Sequence, residues 1–258
     1  MHTDIKRMSY NLGGVRALVT GGTSGIGRAV SCLMASAGAK VAINFLPDDL
    51  KGREFVVGLM KSGHDVVEAP GDVSSPTSGP AMVADAIERM GGLDILVNNA
   101  GTAGSKTPIQ FSDLNAMTDE FWSTIMSTNL LGPFRCVKAA EQALRQSGGA
   151  IVNTASVAGL GTRGSSIAYA ASKAALVNMT QNLARALAPT IRVNAVAPGL
   201  IDSPWTAAWS AERKDATVKQ SLLNRMGRPE EVAEAILFMA VGPRYINGQT
   251  IVINGGQG

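Results

Sequence analysis

Short runs of consecutive apolar residues alternate along this chain with longer stretches of helical periodicity. The first run is V-R-A-L-V-T (15–20), and an Ala-rich amphipathic pattern follows it to residue 37. Further runs stand at 40–45, 65–69, 93–97, 150–155, 192–197 and 250–254. Runs this short, apolar without alternation, suit strands buried on both faces, as in a parallel sheet. Between them lie helical segments, the clearest at 118–143 and 168–188, the second free of Gly and Pro. Strands alternating with helices from end to end predict one α/β domain, a doubly wound parallel sheet of seven strands with helices on both faces. Residues 1–14 read as a loose tail ahead of a single domain at 15–258. The long irregular stretch at 199–221 is expected to be a lid or binding loop. Within 118–143, Asn129 is followed by Gly132 and Pro133, which predicts a kink there.

Composition narrows the classes. A chain of 258 residues can bury a sizeable core. A net charge of +3, evenly spread, points away from nucleic acid and membrane surfaces. The longest apolar run, at 235–241, is far below a membrane span. Cys32 and Cys136 both fall in helical patterns and read as reduced core thiols. A cytoplasmic protein is expected. His2 and His64 have no partners at ligand spacing, so no metal is expected.

The first strand runs into G-G-T-S-G-I-G (21–27) and then a helix. In that context glycines cradle a diphosphate at the helix N-terminus, making the predicted sheet Rossmann-like. Gly21 permits the turn, Gly25 lets backbone approach phosphate, and Gly27 allows close helix–strand packing. The loop after the second strand normally meets the adenosine ribose, where a carboxylate suits NAD and a base suits NADP. Asn44, Phe45 and Leu46 stand there, and neither marker is present. Asp48 and Asp49 are expected to open the next helix instead. Asp72 is placed to accept the adenine amino group, or else to hold the turn before Ser74. Asn98-Asn99-Ala100-Gly101 closes the fourth strand with small residues that admit a flat ring.

On the 168–188 helix, Tyr169 and Lys173 are four residues apart and share a face. At ~4 Å and an effective dielectric of ~20, their attraction is about 4 kcal/mol, or up to about 3 pKa units. A phenol so lowered would titrate near working pH, where acid/base catalysis is most useful. Ser156, thirteen residues earlier at a strand end, aims a hydroxyl at the same point.

Taken together, T-G-G-T-S-G-I-G (20–27), Asp72, N-N-A-G (98–101), Asn129, Ser156, Y-A-A-S-K (169–173), A-P-G (197–199), R-M-G-R-P-E-E-V-A (225–233) and I-N-G-Q-T-I-V-I-N-G-G (246–256) resemble the short-chain dehydrogenase/reductase family. The likeness runs from about residue 13 to residue 256 and includes members that reduce 3-oxoacyl groups on acyl carrier protein. It implies an NAD(P)(H)-dependent oxidoreductase interconverting a secondary alcohol and a carbonyl. The implied catalytic tetrad is Asn129, Ser156, Tyr169 and Lys173. Tyr169 would exchange the proton, Ser156 would polarise the substrate oxygen, and Lys173 would lower the phenol and hold the nicotinamide ribose. Asn129 would hold a water that relays protons from Lys173.

The cofactor would be lined by Gly21, Thr23, Ser24, Gly25, Ile26 and Gly27 at the first turn. Asn44, Phe45, Leu46, Asp72 and Val73 would meet adenosine, and Asn99, Ala100, Gly101, Pro198, Gly199, Ile201 and Ser203 the rest. With no carboxylate at Phe45, and with Ser24 and Asn44 able to donate to a 2′-phosphate, NADP is favoured slightly over NAD, by about 1–2 kcal/mol. Phe45→Asp should then turn the preference to NADH. The resemblance also implies a homotetramer, with the helices at 129–143 and 169–188 meeting their copies through Ala139, Ala140, Ala174, Ala175 and Ala184. The substrate is a small carbonyl or alcohol: a 3-oxoacyl compound, a polyol or sugar, or another small ketone. Trp205 and Trp209, four apart, share a helical face and either pack the lid or wall the substrate. Arg163 either meets an anionic group or stands in solvent. The competing class is a silent NAD(P)-binding scaffold of the same fold, which would ordinarily lack the Tyr or the Lys.

Overall fold

The computed structural model describes residues 10–257. Its seven strands form one all-parallel sheet, ordered β3-β2-β1-β4-β5-β6-β7. They are β1 (Arg16–Val19), β2 (Lys40–Phe45), β3 (Val66–Pro70), β4 (Ile95–Asn98), β5 (Ala150–Thr154), β6 (Arg192–Pro198) and β7 (Thr250–Ile253). Each expected run yields a strand within two residues of its predicted ends. The helices are α1 (Gly25–Ser36), α2 (Leu50–Lys61), α3 (Ser78–Met90), α4 (Asp119–Met126), α5 (Gly132–Ser147), α6 (Ile167–Leu187), α7 (Ala211–Val218) and α8 (Pro229–Val241).

Strand alternation divides the core into two layers. Ala17, Val19, Val41, Ile43 and Phe45 pack with residues of α1, α2 and α8. Leu18, Ala42 and Leu96 face the other way, against α3, α5 and α6. The strand order reverses between β1 and β4, which opens a crevice at their carboxyl ends. That crevice positions the site.

Three expectations are corrected here. The tail was expected to run loose to residue 14. Residues 1–9, with His2, lie outside the described residues, but Leu12 is buried in the core and its N–H donates to Ala37 O. The 118–143 helix does deviate, but through a π turn at Ser127–Leu131 and not at the Gly132-Pro133 pair. Pro133 sits at the second position of α5, directly after the π turn. The 199–221 stretch is not all irregular, since it holds a 3₁₀ turn at Pro204–Thr206 and the whole of α7. Among the described residues, no helix is long and apolar enough to cross a membrane.

Candidate active site

The glycine turn is tied to β4 by side chains. Thr20 Oγ1 accepts from the N–H groups of Asn99 and Ala100, both at 3.0 Å. Asn99 Nδ2 returns hydrogen bonds to Thr20 O and Gly21 O. Gly27 fits beneath them because it has no side chain: a Cβ there would stand 2.5 Å from Asn99 Nδ2 and closer still to Gly21 O. Gly21 lies at φ +59°, a left-handed conformation that favours glycine. Ser24 caps α1 in extended conformation without a side-chain hydrogen bond, so the first N–H groups of the helix are left for another acceptor.

The catalytic candidates converge from three elements. Ser166 Oγ accepts from Tyr169 N at 3.0 Å and so starts α6 where Tyr169 falls in its first turn. Lys173, one turn on, is 4% exposed, and its Nζ donates to Thr154 O at 2.7 Å. Ser156, just past β5, caps the 3₁₀ turn Val157–Leu160 by accepting from Ala158 N. Asn129, fully buried in the π turn, accepts from Thr102 N and donates to Thr102 O and Ser172 Oγ. Ser172 in turn donates to Tyr169 O. Asn129 therefore ties the loop after β4 to α6.

The charge arrangement differs from the sequence expectation. Lys173 Nζ lies 5.8 Å from the Tyr169 ring centroid and donates to Thr154 O. Burial pushes the Tyr169 phenol up to about 12, against a smaller downward pull from Ser156. Burial brings Lys173 down to about 8. Desolvation dominates both shifts.

One cavity of about 280 Å³ joins the two halves. Gly21, Ser24, Gly25, Ile26, Asn99, Ala100 and Gly101 line it, as do Ser156, Tyr169, Lys173, Pro198, Gly199, Ile201 and Ser203. Thr23 lines a second groove beside α1, shared with Ser24 and Arg28. Five predicted cofactor residues fall elsewhere. Asn44 is 2% exposed and spent internally: Oδ1 accepts from Gly21 N, and Nδ2 donates to Ala69 O and Gly71 O. It has no proton to offer a phosphate. Phe45, 3% exposed, turns its ring into the core, and Val73 is buried against Gly132. Leu46 is exposed. Asp72 Oδ1 accepts from Ser74 N and Ser74 Oγ, the turn-holding role. Asp49 caps α2 by accepting from Gly52 N.

Trp205 lies in the 3₁₀ turn and Trp209 just ahead of α7, so they do not share a helical face. Both line the cavity, and Trp205 packs on the Tyr169 ring at 5.7 Å between centroids. Sequence reasoning missed Thr154, Thr102 and Ser172, whose partners become visible only when distant segments meet. It also missed Gly159, where a Cβ would lie 2.5 Å from the Lys173 carbonyl carbon. A glycine between Ser156 and Tyr169 was the available signal.

Residues 21–257 match the family described as enoyl-(acyl carrier protein) reductase. A 3-oxoacyl-[acyl-carrier-protein] reductase of Staphylococcus aureus is 38% identical over 243 residues, 93% of this chain and 96% of the relative. A short-chain dehydrogenase from Burkholderia cenocepacia, crystallised with NADP, superposes with TM-score 0.86 at 35% identity, covering 96% of this chain and 99% of that one. The chain belongs to the short-chain dehydrogenase/reductase family. A short-chain type dehydrogenase/reductase from Mycobacterium marinum also superposes with TM-score 0.86, at 34% identity over 96% of this chain and 97% of that one. As a member of the short-chain dehydrogenase/reductase family, the protein is an NAD(P)-dependent oxidoreductase that interconverts an alcohol and a carbonyl.

Proposed function

We propose that the protein reduces the 3-oxo group of an acyl thioester or a ketone of similar size with NADPH, and catalyses the reverse oxidation when given the alcohol. The observation that carries this reading is the single cavity linking Gly21 and Ser24 to Ser156 and Tyr169. A dinucleotide suits the residues present, because α1 offers uncapped N–H groups and the side-chain-free Gly21 and Gly25 line the cavity beside them. The coenzyme, when bound, supplies the hydride. Tyr169, protonated across the neutral range, gives its proton to the substrate oxygen. Ser156 holds that oxygen, and Lys173 keeps a positive charge behind it. Asn129 and Thr102 fix the wall opposite α6. Trp205, tilted against the Tyr169 ring, shields the phenol from water.

NADPH over NADH is supported by the NADP complex of the Burkholderia relative. Along the groove beside α1, Thr23, Ser24 and Arg28 are the groups available to a 2′-phosphate, in place of Asn44. We infer a single catalytic domain, a cytoplasmic setting and a homotetramer. Exposed Leu131 and Phe134 at the start of α5 and exposed Ala174 on α6 support the last. Ala140 and Ala184 are withdrawn from that interface because both are buried within the chain.

The test is NADPH oxidation with a 3-oxoacyl thioester, comparing wild type with Tyr169→Phe. Loss of the proton donor should lower kcat about hundredfold or more while coenzyme Kd is kept. Turnover near wild type in the variant would overturn the assignment of Tyr169.

A further inference from the structure

Two guanidiniums, of Arg163 and Arg213, stand beside residues that line the cavity. Arg213, on α7, donates to Gly164 O at 3.0 Å and lies over the Trp209 ring at 4.9 Å. Gly164 and Trp209 are both cavity walls. Arg163 is the residue just before Gly164; its guanidinium lies over Phe111 at 5.1 Å and points an N–H at Gln110 Oε1, 3.4 Å away. Neither Arg has a carboxylate within 4.0 Å among the described residues, as is also true of Arg28, Arg135, Arg185, Arg192 and Arg244; what sets this pair apart is its place beside the cavity walls. Burial, and to a lesser degree the charge of Arg163, holds the Arg213 guanidinium below its usual range.

Two like charges brought together without a counter-ion repel each other. Here each is held by an aromatic face and a neutral acceptor, contacts that fix the plane and leave N–H edges free. An anion between them would remove the repulsion and accept charge-assisted hydrogen bonds. The position is close to the chemistry. A Cβ on Gly164 would stand 3.2 Å from Tyr169 Cδ1, so one glycine separates the Arg213 guanidinium from the catalytic ring.

We propose that Arg163 and Arg213 form an anion site beside the cavity, and that the substrate carries a carboxylate or phosphate a few bonds from the carbonyl reduced at Tyr169. This deepens the proposed reductase activity and rests on it. The lid thereby selects the substrate's charge, while Ser156 and Tyr169 act on its carbonyl.

The test uses matched substrates. Methyl-ketone acids with one to four methylenes between carbonyl and carboxylate are each assayed against their methyl esters. Dihydroxyacetone phosphate is assayed against dihydroxyacetone. Wild-type enzyme should favour the anion in one series by about tenfold or more in kcat/KM, and which series responds separates carboxylate from phosphate. In Arg163→Gln and in Arg213→Gln that ratio should fall about tenfold, and 0.5 M salt should reduce it in wild type. Loss of the Gly164 contact alone would lower both members of a pair and leave the ratio unchanged. Lys61→Gln, on the exposed end of α2, controls for net charge and should keep the wild-type ratio. Quenching of Trp205 and Trp209 fluorescence by the same compounds reads binding without turnover. Anion-selective quenching that the Arg variants abolish, with no turnover of any ketone, would sink the reductase reading and keep the anion site. Equal treatment of anion and neutral analogue in both assays, or a ratio unmoved by either substitution, would overturn the anion site.

Discussion

Replacing Asn44 with leucine tests where this side chain does its work. The two residues have nearly the same shape, so the substitution removes polarity without opening a cavity. It deletes hydrogen bonds to Gly21 N at 3.0 Å and to Ala69 O and Gly71 O at 2.9 Å. Each is worth about 1 kcal/mol net, and the Gly21 N–H left without its partner costs about 1–3 kcal/mol more. Burial of the leucine offsets about 1–2 kcal/mol of the total. A net loss of about 3 kcal/mol should lower Tm by about 6–12 °C in a chain of this size. Circular dichroism melts without coenzyme measure it. Asn44→Asp is the informative companion: it keeps the acceptor for Gly21 but sets a carboxylate against two carbonyls, and should be at least as destabilising. If Asn44 instead reached a bound 2′-phosphate, Asn44→Leu would weaken NADPH and spare the melt. A Tm change under about 2 °C with weakened NADPH would refute the internal role.

Three further outcomes follow from the geometry. Lys173 titrates near 8 in the fold against 10.5 ordinarily, so its burial penalty is full below about pH 8 and is relieved as pH rises toward 10.5. Between pH 7 and 10 urea unfolding should show wild type gaining about 2 kcal/mol relative to Lys173→Met; the variant comparison is needed because the Cys136 thiol, pushed up to about 12, works in the opposite direction above pH 9. Phe45→Asp should lower Tm by more than about 10 °C, because it buries a carboxylate in place of a core ring; a stable variant that prefers NADH would restore the earlier expectation. Gly159→Ala should displace α6 at Lys173 and cut kcat about tenfold or more with coenzyme binding less affected, measured by steady-state kinetics and titration; unchanged kcat would show that the turn absorbs the methyl group.

The sheet was legible because its central strands are buried on both faces, and apolar runs such as I-L-V at 95–97 admit no other ready placement. The glycine turn and the Tyr169–Lys173 pair were legible because each is local, fixed by spacing within one turn or helix. What the sequence concealed depends on segments far apart in the chain. Asn44 read as a surface donor because its partners, Gly21, Ala69 and Gly71, come from two other strand ends. The pKa values went the wrong way for a related reason: spacing set which face the pair shares, but not the burial that decides the shift. Phe45 was misread through analogy of position, without the strand alternation that turns its ring into the core.

The π turn at Ser127–Leu131 constrains how this protein can change. It joins α4 and α5 into one continuous rod with one residue too many for regular winding. Deleting any of those five positions would straighten the rod and rotate one half against the other by about 100°. Either Ile125 would then swing out of the interior, or Cys136, Val137, Ala140 and Leu144 would. Asn129 would leave Thr102 and Ser172 in the same movement. Length at this point is as much a requirement as residue identity: a single missing residue here would disturb the core and the contacts of Asn129 together.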